Sequence, residues 1–145
     1  MEAAATVQRR ILLAVDQSGS SREAIREAIQ RAVDGHASLV VLSVIEAHNL
    51  HLPGGLHRRV DQERDRLESG ALEIVRAARE RGVQATFLIW EGDPADAILE
   101  ASRAEQADVI VLGSRPRTNI RRLVLGSVSS QVARLATCEV VVVPA

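Results

Sequence analysis

Apolar residues in this chain fall into short runs that are almost unbroken, and polar segments separate the runs. Four of these runs cover residues 11–15, 39–45, 109–112 and 140–143. Runs of this length without alternation predict strands buried on both faces, as in a parallel sheet with helices on either side. A fifth run over residues 83–90 mixes polar and apolar side chains, and we expect that strand nearer an edge of the sheet.

Between the runs, apolar residues recur at intervals of three or four, which predicts amphipathic helices. Two helical segments cover residues 22–33 and 56–81, and two more begin at Pro94 and near Gly126. Strands and helices therefore alternate regularly along the 145 residues. Such alternation is typical of an α/β fold with a doubly wound parallel sheet, right-handed crossovers and helices on both faces. We expect one domain over residues 1–145.

Individual residues predict where the helices end, begin and face. Gly35 and Gly82 are typical of residues that end a helix. Asp93 followed by Pro94 is typical of a cap with proline at the first helical position. At the end of the fourth helix, we expect Leu135 to face the core.

The charge of the chain excludes several classes of partner and chemistry. The net charge is −1, so no basic field is present for nucleic acid. All 18 basic residues are arginines, which excludes a P-loop lysine, a Schiff-base lysine and a lysine general base.

The chain has no sequence feature of a secreted or membrane protein. No apolar run approaches the roughly 20 residues that cross a bilayer, and residues 1–10 lack an apolar stretch of signal-peptide length. A single cysteine, Cys138, cannot form an internal disulfide. These features favour a cytoplasmic protein that is not bound to a membrane.

In doubly wound sheets, ligands lie beyond the carboxyl ends of the strands, so the loops there are the places to look for chemistry. Asp16 directly follows the first buried run. Its carboxylate would suit a ribose hydroxyl or Mg²⁺. An equally good interpretation is that Asp16, or a serine after it, caps the next helix.

The loop after the fourth strand, residues 113–129, has glycine at Gly113 and Gly126, several hydroxyls and four arginines. A helix begins at its far end, and N–H groups at a helix start, with Ser127 and Ser129, favour an anion. The alternative is a solvated basic loop whose glycines only form turns.

This loop resembles the nucleotide loop of the universal stress protein family, whose pattern is G-x2-G-x9-G-[S/T]. Gly113, Gly126 and Ser127 stand at the spacings of that pattern. Weaker landmarks over nearly the whole chain point the same way, and they are the segments at residues 11–16, 41–45, 91–94 and 138–143. The resemblance implies a Rossmann-like, five-stranded parallel sheet of order 3-2-1-4-5.

The ATP-binding branch of this family implies a defined pocket. By position, Ala14, Val15 and Val44 would line the adenine, and Asp16 would meet the ribose. The remaining implied residues run from the ribose to the phosphates: Gly113, Ser114, Arg115, Gly126, Ser127, Val128 and Ser129. ATP, with Mg²⁺ as its companion ion, is the cofactor that the resemblance implies.

One residue departs from the family pattern, because Pro116 stands where the motif has its second glycine. Proline has no N–H to donate to a phosphate, and its φ is fixed where glycine is free. We therefore expect weakened ATP binding. The loss of one hydrogen bond to a charged group costs about 1.5–3 kcal/mol.

Three functions follow from these residues. The first is an ATP-binding regulatory module of the stress response. The second is a nucleotide-free module of the same fold that binds a protein partner, which Pro116 favours. The third is slow ATP hydrolysis, for which Asp16 is the one candidate base that we find; we assign no catalytic residue.

The last strand, from Val140 to Val143, is expected at a sheet edge, where a run of valines needs cover. The family often dimerises through this strand, so the resemblance implies a homodimer there. His48, His51 and His57 are close in sequence, but a solvated loop is the better interpretation, and we assign no metal site.

Overall fold

The computed structural model describes residues 9–16, 21–46, 56–114 and 126–144, with backbone only at residues 56–59. Strands and helices alternate as the sequence predicts. In chain order they are β1 (Arg10–Val15), α1 (Ser21–Gly35), β2 (Ser38–Ile45), α2 (Leu56–Glu80), β3 (Ala85–Glu91), α3 (Pro94–Ala104), β4 (Val109–Ser114), α4 (Ser127–Leu135) and β5 (Glu139–Pro144).

The five strands form one parallel sheet in the order β3-β2-β1-β4-β5. This confirms both the doubly wound class and the strand order that the family resemblance implies. β1 lies in the centre, where Leu12 pairs with Val40 on one side and with Ile110 on the other. β3 and β5 are the two edges of the described sheet, as expected for each of them.

Helices cover both faces of the sheet, and this explains the unbroken apolar runs. Leu13 lies on the face covered by α1 and α2, whereas Leu12 lies on the face covered by α3 and α4. Both leucines are fully buried. Because successive side chains of a strand point to opposite faces, only a continuous apolar run can supply both cores.

Two helix termini behave as predicted in detail. The Asp93 carboxylate accepts the Asp96 N–H at 3.1 Å, and Pro94 is the first residue of α3. α2 is followed by Gly82, whose φ of +83° is in the left-handed region. α1 ends at Gly35 as expected, but the left-handed residue after it is His36, with φ 51°.

The expected burial of Leu135 is wrong, because its side chain is 45% exposed. Leu135 is the last residue of α4, and the chain leaves the helix at Ala136 to enter β5. The position therefore lies at the rim of the core, while Val132, one turn earlier, is fully buried. Within the described residues, no helix has the length and apolar character needed to cross a membrane.

The two helix-terminal glycines offer a matched test of backbone conformation. A Cβ added at Gly35 or at Gly82 meets no atom within 4 Å, so only the backbone distinguishes them. We expect Gly82→Ala to destabilise the fold by about 1–2 kcal/mol, since a side chain resists positive φ. Gly35→Ala should stabilise it by about 0.5–1 kcal/mol, because alanine loses less entropy in a helix. Urea denaturation measures both, and equal effects would contradict this account.

Candidate functional site

A cavity of about 460 Å³ opens at the carboxyl edge of the sheet, over the ends of β1, β2 and β4. This volume falls within the roughly 300–1,000 Å³ typical of small-molecule sites. Its walls come from seven elements, from one residue after each of β1 and β2, and from the residue before α4. They are Ala14, Val15, Asp16, Ser21, Leu42, Val44, Glu46, Glu63, Arg66, Leu67, Pro94, Ile98, Leu112, Gly113, Gly126, Ser127, Val128 and Ser129.

The apolar part of the cavity follows from the register of the three central strands. Ala14 of β1 pairs with Leu42 of β2 and with Leu112 of β4. The small methyl group of Ala14 therefore lies between two leucines, all on the face of α3 and α4. A depression with apolar walls follows from this one small residue, and it suits a flat ring rather than water.

Val44, at the end of β2, continues the apolar wall toward the sheet edge. It pairs with Trp90 of β3, and both side chains pack on the same core cluster as Ala14. Trp90 is therefore the aromatic ring next to the cavity wall, while Phe87 packs on the opposite face of the sheet.

Asp16 lies at the end of β1 and is held by the first residue of α1. The Ser21 hydroxyl donates to Asp16 Oδ1 at 3.1 Å, and the Asp16 N–H donates to Ser21 Oγ at 3.1 Å. Ser21 is buried, at 5% exposure, whereas Asp16 is exposed. The hydroxyl thus fixes the carboxylate at the cavity mouth, in reach of a ligand.

The start of α4 forms the opposite wall and has the features of an anion site. Gly126 precedes the helix and has no side chain with which to cap it. The Gly126 carbonyl accepts the Ser130 N–H at 2.9 Å and the Ser129 hydroxyl at 3.0 Å. Ser129 is buried and can contribute its N–H, since the first N–H groups of a helix lack partners within the helix. These donors and the helix dipole favour a negative group.

The third wall, from α2, was missed by sequence reasoning. The Arg66 guanidinium donates to Glu63 Oε1 at 2.7 Å, and both side chains line the cavity beside Leu67. Their signal was the length of α2, whose 25 residues span about 38 Å. β3, with 7 residues, spans only about 23 Å. Since α2 runs antiparallel to the strands, its extra length carries Glu63 and Arg66 past the carboxyl edge to the cavity.

Nine of the predicted site residues line this one cavity. They are Ala14, Val15, Asp16, Val44, Gly113, Gly126, Ser127, Val128 and Ser129. Ser114, the last residue of β4, pairs with Pro144 of β5 and is not among the lining residues. Arg115 and Pro116 lie outside the described residues, as do His48 and His51. The binding roles of all these residues stay predictions.

Other reactive groups of the described residues do not join the cavity. No three histidine, cysteine, aspartate or glutamate side chains among them come together as a metal site would require. Cys138 packs against the core cluster of α3 and α4. Partial burial raises the pKa of its thiol above the ordinary value. The negative charge of Asp108 raises this pKa further, as the second largest cause.

Comparison with known proteins places the chain in a family. The sequence pattern of the universal stress protein family matches residues 8–144. The chain belongs to this family. A relative, universal stress protein YxiE of Bacillus subtilis, is 31% identical over 147 residues, covering 92% of this chain and 97% of the relative.

Solved structures of the family share the fold. Universal stress protein UspA from Lactobacillus plantarum has a TM-score of 0.82 at 26% identity, and the match covers 93% of this chain and 97% of that one. The universal stress protein from Archaeoglobus fulgidus in complex with dAMP has a TM-score of 0.70 at 24% identity. That match covers 94% of this chain and 98% of the other.

We predict that Cys138 reacts slowly with a disulfide reagent at neutral pH. Because the pKa of the thiol is raised, the reactive thiolate forms only at higher pH than in a free cysteine. The expected rate is below that of free cysteine, and it should still rise with pH above the ordinary thiol pKa of about 8.5. The same protein in urea is the control and should react at the ordinary rate. A native rate equal to that of free cysteine would refute the prediction.

Proposed function

We propose that this chain binds an adenine nucleotide, ATP foremost, in the cavity at the carboxyl edge of the sheet, and acts as a single-domain cytoplasmic module of the stress response. The observation that carries the proposal is that one cavity gathers nine residues predicted from the sequence for this role. They come from segments far apart in the chain, so chance neighbours in sequence do not explain the grouping.

The three parts of a nucleotide match three parts of the cavity. The depression at Ala14, with Val44 beside it, would take the base. The Asp16 carboxylate, held by Ser21, would accept hydrogen bonds from ribose hydroxyls. The N–H groups at the start of α4, with Ser127, would hold the phosphates.

The countercharge for a triphosphate would come from arginine, since the chain has no lysine. Four arginines stand in the sequence between Gly113 and Gly126, and bidentate arginine suits phosphate. A bound nucleotide would also bring Mg²⁺, for which Asp16 would be the carboxylate ligand among the described residues of the cavity. The Archaeoglobus fulgidus protein, which has a similar fold, was solved in complex with dAMP, and this supports the proposal.

Titration of ATP with Mg²⁺ into the purified chain, by calorimetry, tests the proposal. We expect weak binding by the native sequence and binding about tenfold tighter by Pro116→Gly, which restores an N–H and a free φ to the motif. Pro53→Gly, a change outside the motif, is the control and should leave the affinity unchanged. Equal or poorer affinity in Pro116→Gly would refute the role assigned to this proline.

A second variant tests the location of the site. Ala14→Leu fills the depression between Leu42 and Leu112 without adding charge, so it should abolish ATP binding in both backgrounds. Retained binding in Ala14→Leu would place the nucleotide elsewhere. If neither the native chain nor Pro116→Gly binds ATP, the nucleotide-free interaction module becomes the better account.

We further propose that two copies pair along β5 as a homodimer. β5 is an edge of the described sheet, and its four valines are all only partly buried. Val142→Lys should convert the dimer to a monomer in sedimentation velocity, because a charge on the edge strand opposes pairing. Leu135→Lys, which changes an exposed apolar residue on α4, should leave the dimer intact. A monomeric native chain, or dissociation by Leu135→Lys alone, would overturn this arrangement.

A further inference from the structure

The Glu63–Arg66 pair of α2 is the polar feature of the cavity that the proposed function leaves without a role. Glu63 Oε1 accepts from Arg66 Nη2 at 2.7 Å, and the Glu63 side chain is only 24% exposed. An ionised carboxylate can accept further hydrogen bonds at its second oxygen. Within the described lining, Arg66 is the one guanidinium, and Asp16, Glu46 and Glu63 are the carboxylates.

The turn that carries this pair is held in place from two sides. Arg64 donates to Glu91, at the end of β3, at 2.6 Å. Leu67 is 4% exposed and anchors the same turn in the core. A carboxylate oriented by Arg66 on an anchored helix presents its oxygen in one direction, which is what selective recognition requires.

The pair lies where the edge of a base would reach. Glu63 and Leu67 are four residues apart on α2, so they project from the same side of the helix, and both line the cavity. A base whose flat face lies against the apolar wall of Leu67, Val44 and Ala14 would turn a polar edge toward Glu63 and Arg66. The phosphates would then point to α4, across the central strand β1.

The chemistry of the pair distinguishes between purines. Adenine presents an amino donor next to the N7 acceptor, whereas guanine presents two acceptors, O6 and N7, along the same edge. The Glu63 carboxylate is an acceptor, which is complementary to the amino donor of adenine. A 6-oxo group in the same place would face the carboxylate with a second acceptor.

We propose that Glu63, oriented by Arg66, determines base specificity by accepting a hydrogen bond from the 6-amino group of the purine. The inference rests on the proposed function, since it assigns a specificity residue within the same cavity. Arg66 is a positioning residue that acts through Glu63.

The test compares AMP with IMP, which carries a 6-oxo group in place of the amino group. Calorimetry should show that the native chain prefers AMP by at least about tenfold. In Glu63→Gln this preference should fall by about tenfold, because the amide can also donate to the 6-oxo oxygen. Glu23→Gln is the matched control: Glu23 pairs with Arg26 at the same spacing on α1, at 3.3 Å, away from the cavity, and the preference should not change.

Two further variants separate recognition from charge. Glu63→Asp keeps the charge, but its shorter side chain places the carboxylate farther from the base. AMP affinity should therefore fall, and IMP affinity should not rise. Arg66→Ala should lower the preference for AMP, and Arg66→Lys should restore part of it, because an ammonium can still orient the carboxylate.

Each remaining outcome decides against the inference. An unchanged AMP preference in Glu63→Gln overturns it while leaving the proposed function intact. A variant that alters the ratio of AMP to adenosine affinity, but not that of AMP to IMP, shows that the pair acts on the phosphate and also overturns it. If the native chain binds neither AMP nor ATP, the proposed function itself fails, and the inference with it.

Discussion

The structure depends on the central position of β1, which is hydrogen-bonded to a strand on each side and buried on both faces. Its residues therefore meet two cores and two neighbours at once. The middle positions of the strand, Ile11, Leu12 and Leu13, are large, apolar and buried. At Ala14, near the end of the strand, the side chain is small, and the space that it leaves forms part of the cavity.

This origin explains why the site is part of the fold rather than an addition to it. The residues that line the apolar end of the cavity are the last layer of the core packing, in register across β2, β1 and β4. The polar side chains begin just beyond the strand ends, with Asp16 after β1 and Glu46 after β2. A ligand with one apolar and one anionic end would therefore meet an apolar floor first and helix N–H groups second.

Most of the fold could be predicted from the sequence because most of its strands are continuous apolar runs. Continuous apolar runs such as residues 109–112 admit few interpretations, and Asp93-Pro94 marks a helix start directly. The strand order came from the resemblance, since periodicity alone does not order parallel strands. The predicted burial of Leu135 was wrong because helical spacing indicates which side of the helix faces the core. It does not indicate how far along the helix the core extends. The left-handed His36 was missed because glycine is the usual residue there, and one stood next to it.

Sequence reasoning predicted the residues of the cavity wall that lie at strand ends and at the start of α4, and it missed those on α2. Gly113, Gly126 and Ser127 form a motif with fixed spacing, so sequence alone can find them. Glu63 and Arg66 look like an ordinary surface pair on a polar helix, and only the three-dimensional path of α2 brings them over the cavity.

The pairing of Val44 with Trp90 gives the molecule a built-in optical reporter. The chain has one tryptophan and no tyrosine, so all of its indole emission arises from a ring adjacent to a residue of the cavity wall. Any change in the polarity or packing around Val44 alters the surroundings of that single fluorophore. The fluorescence of Trp90 can therefore report on the state of the cavity, without a label and without changing the sequence.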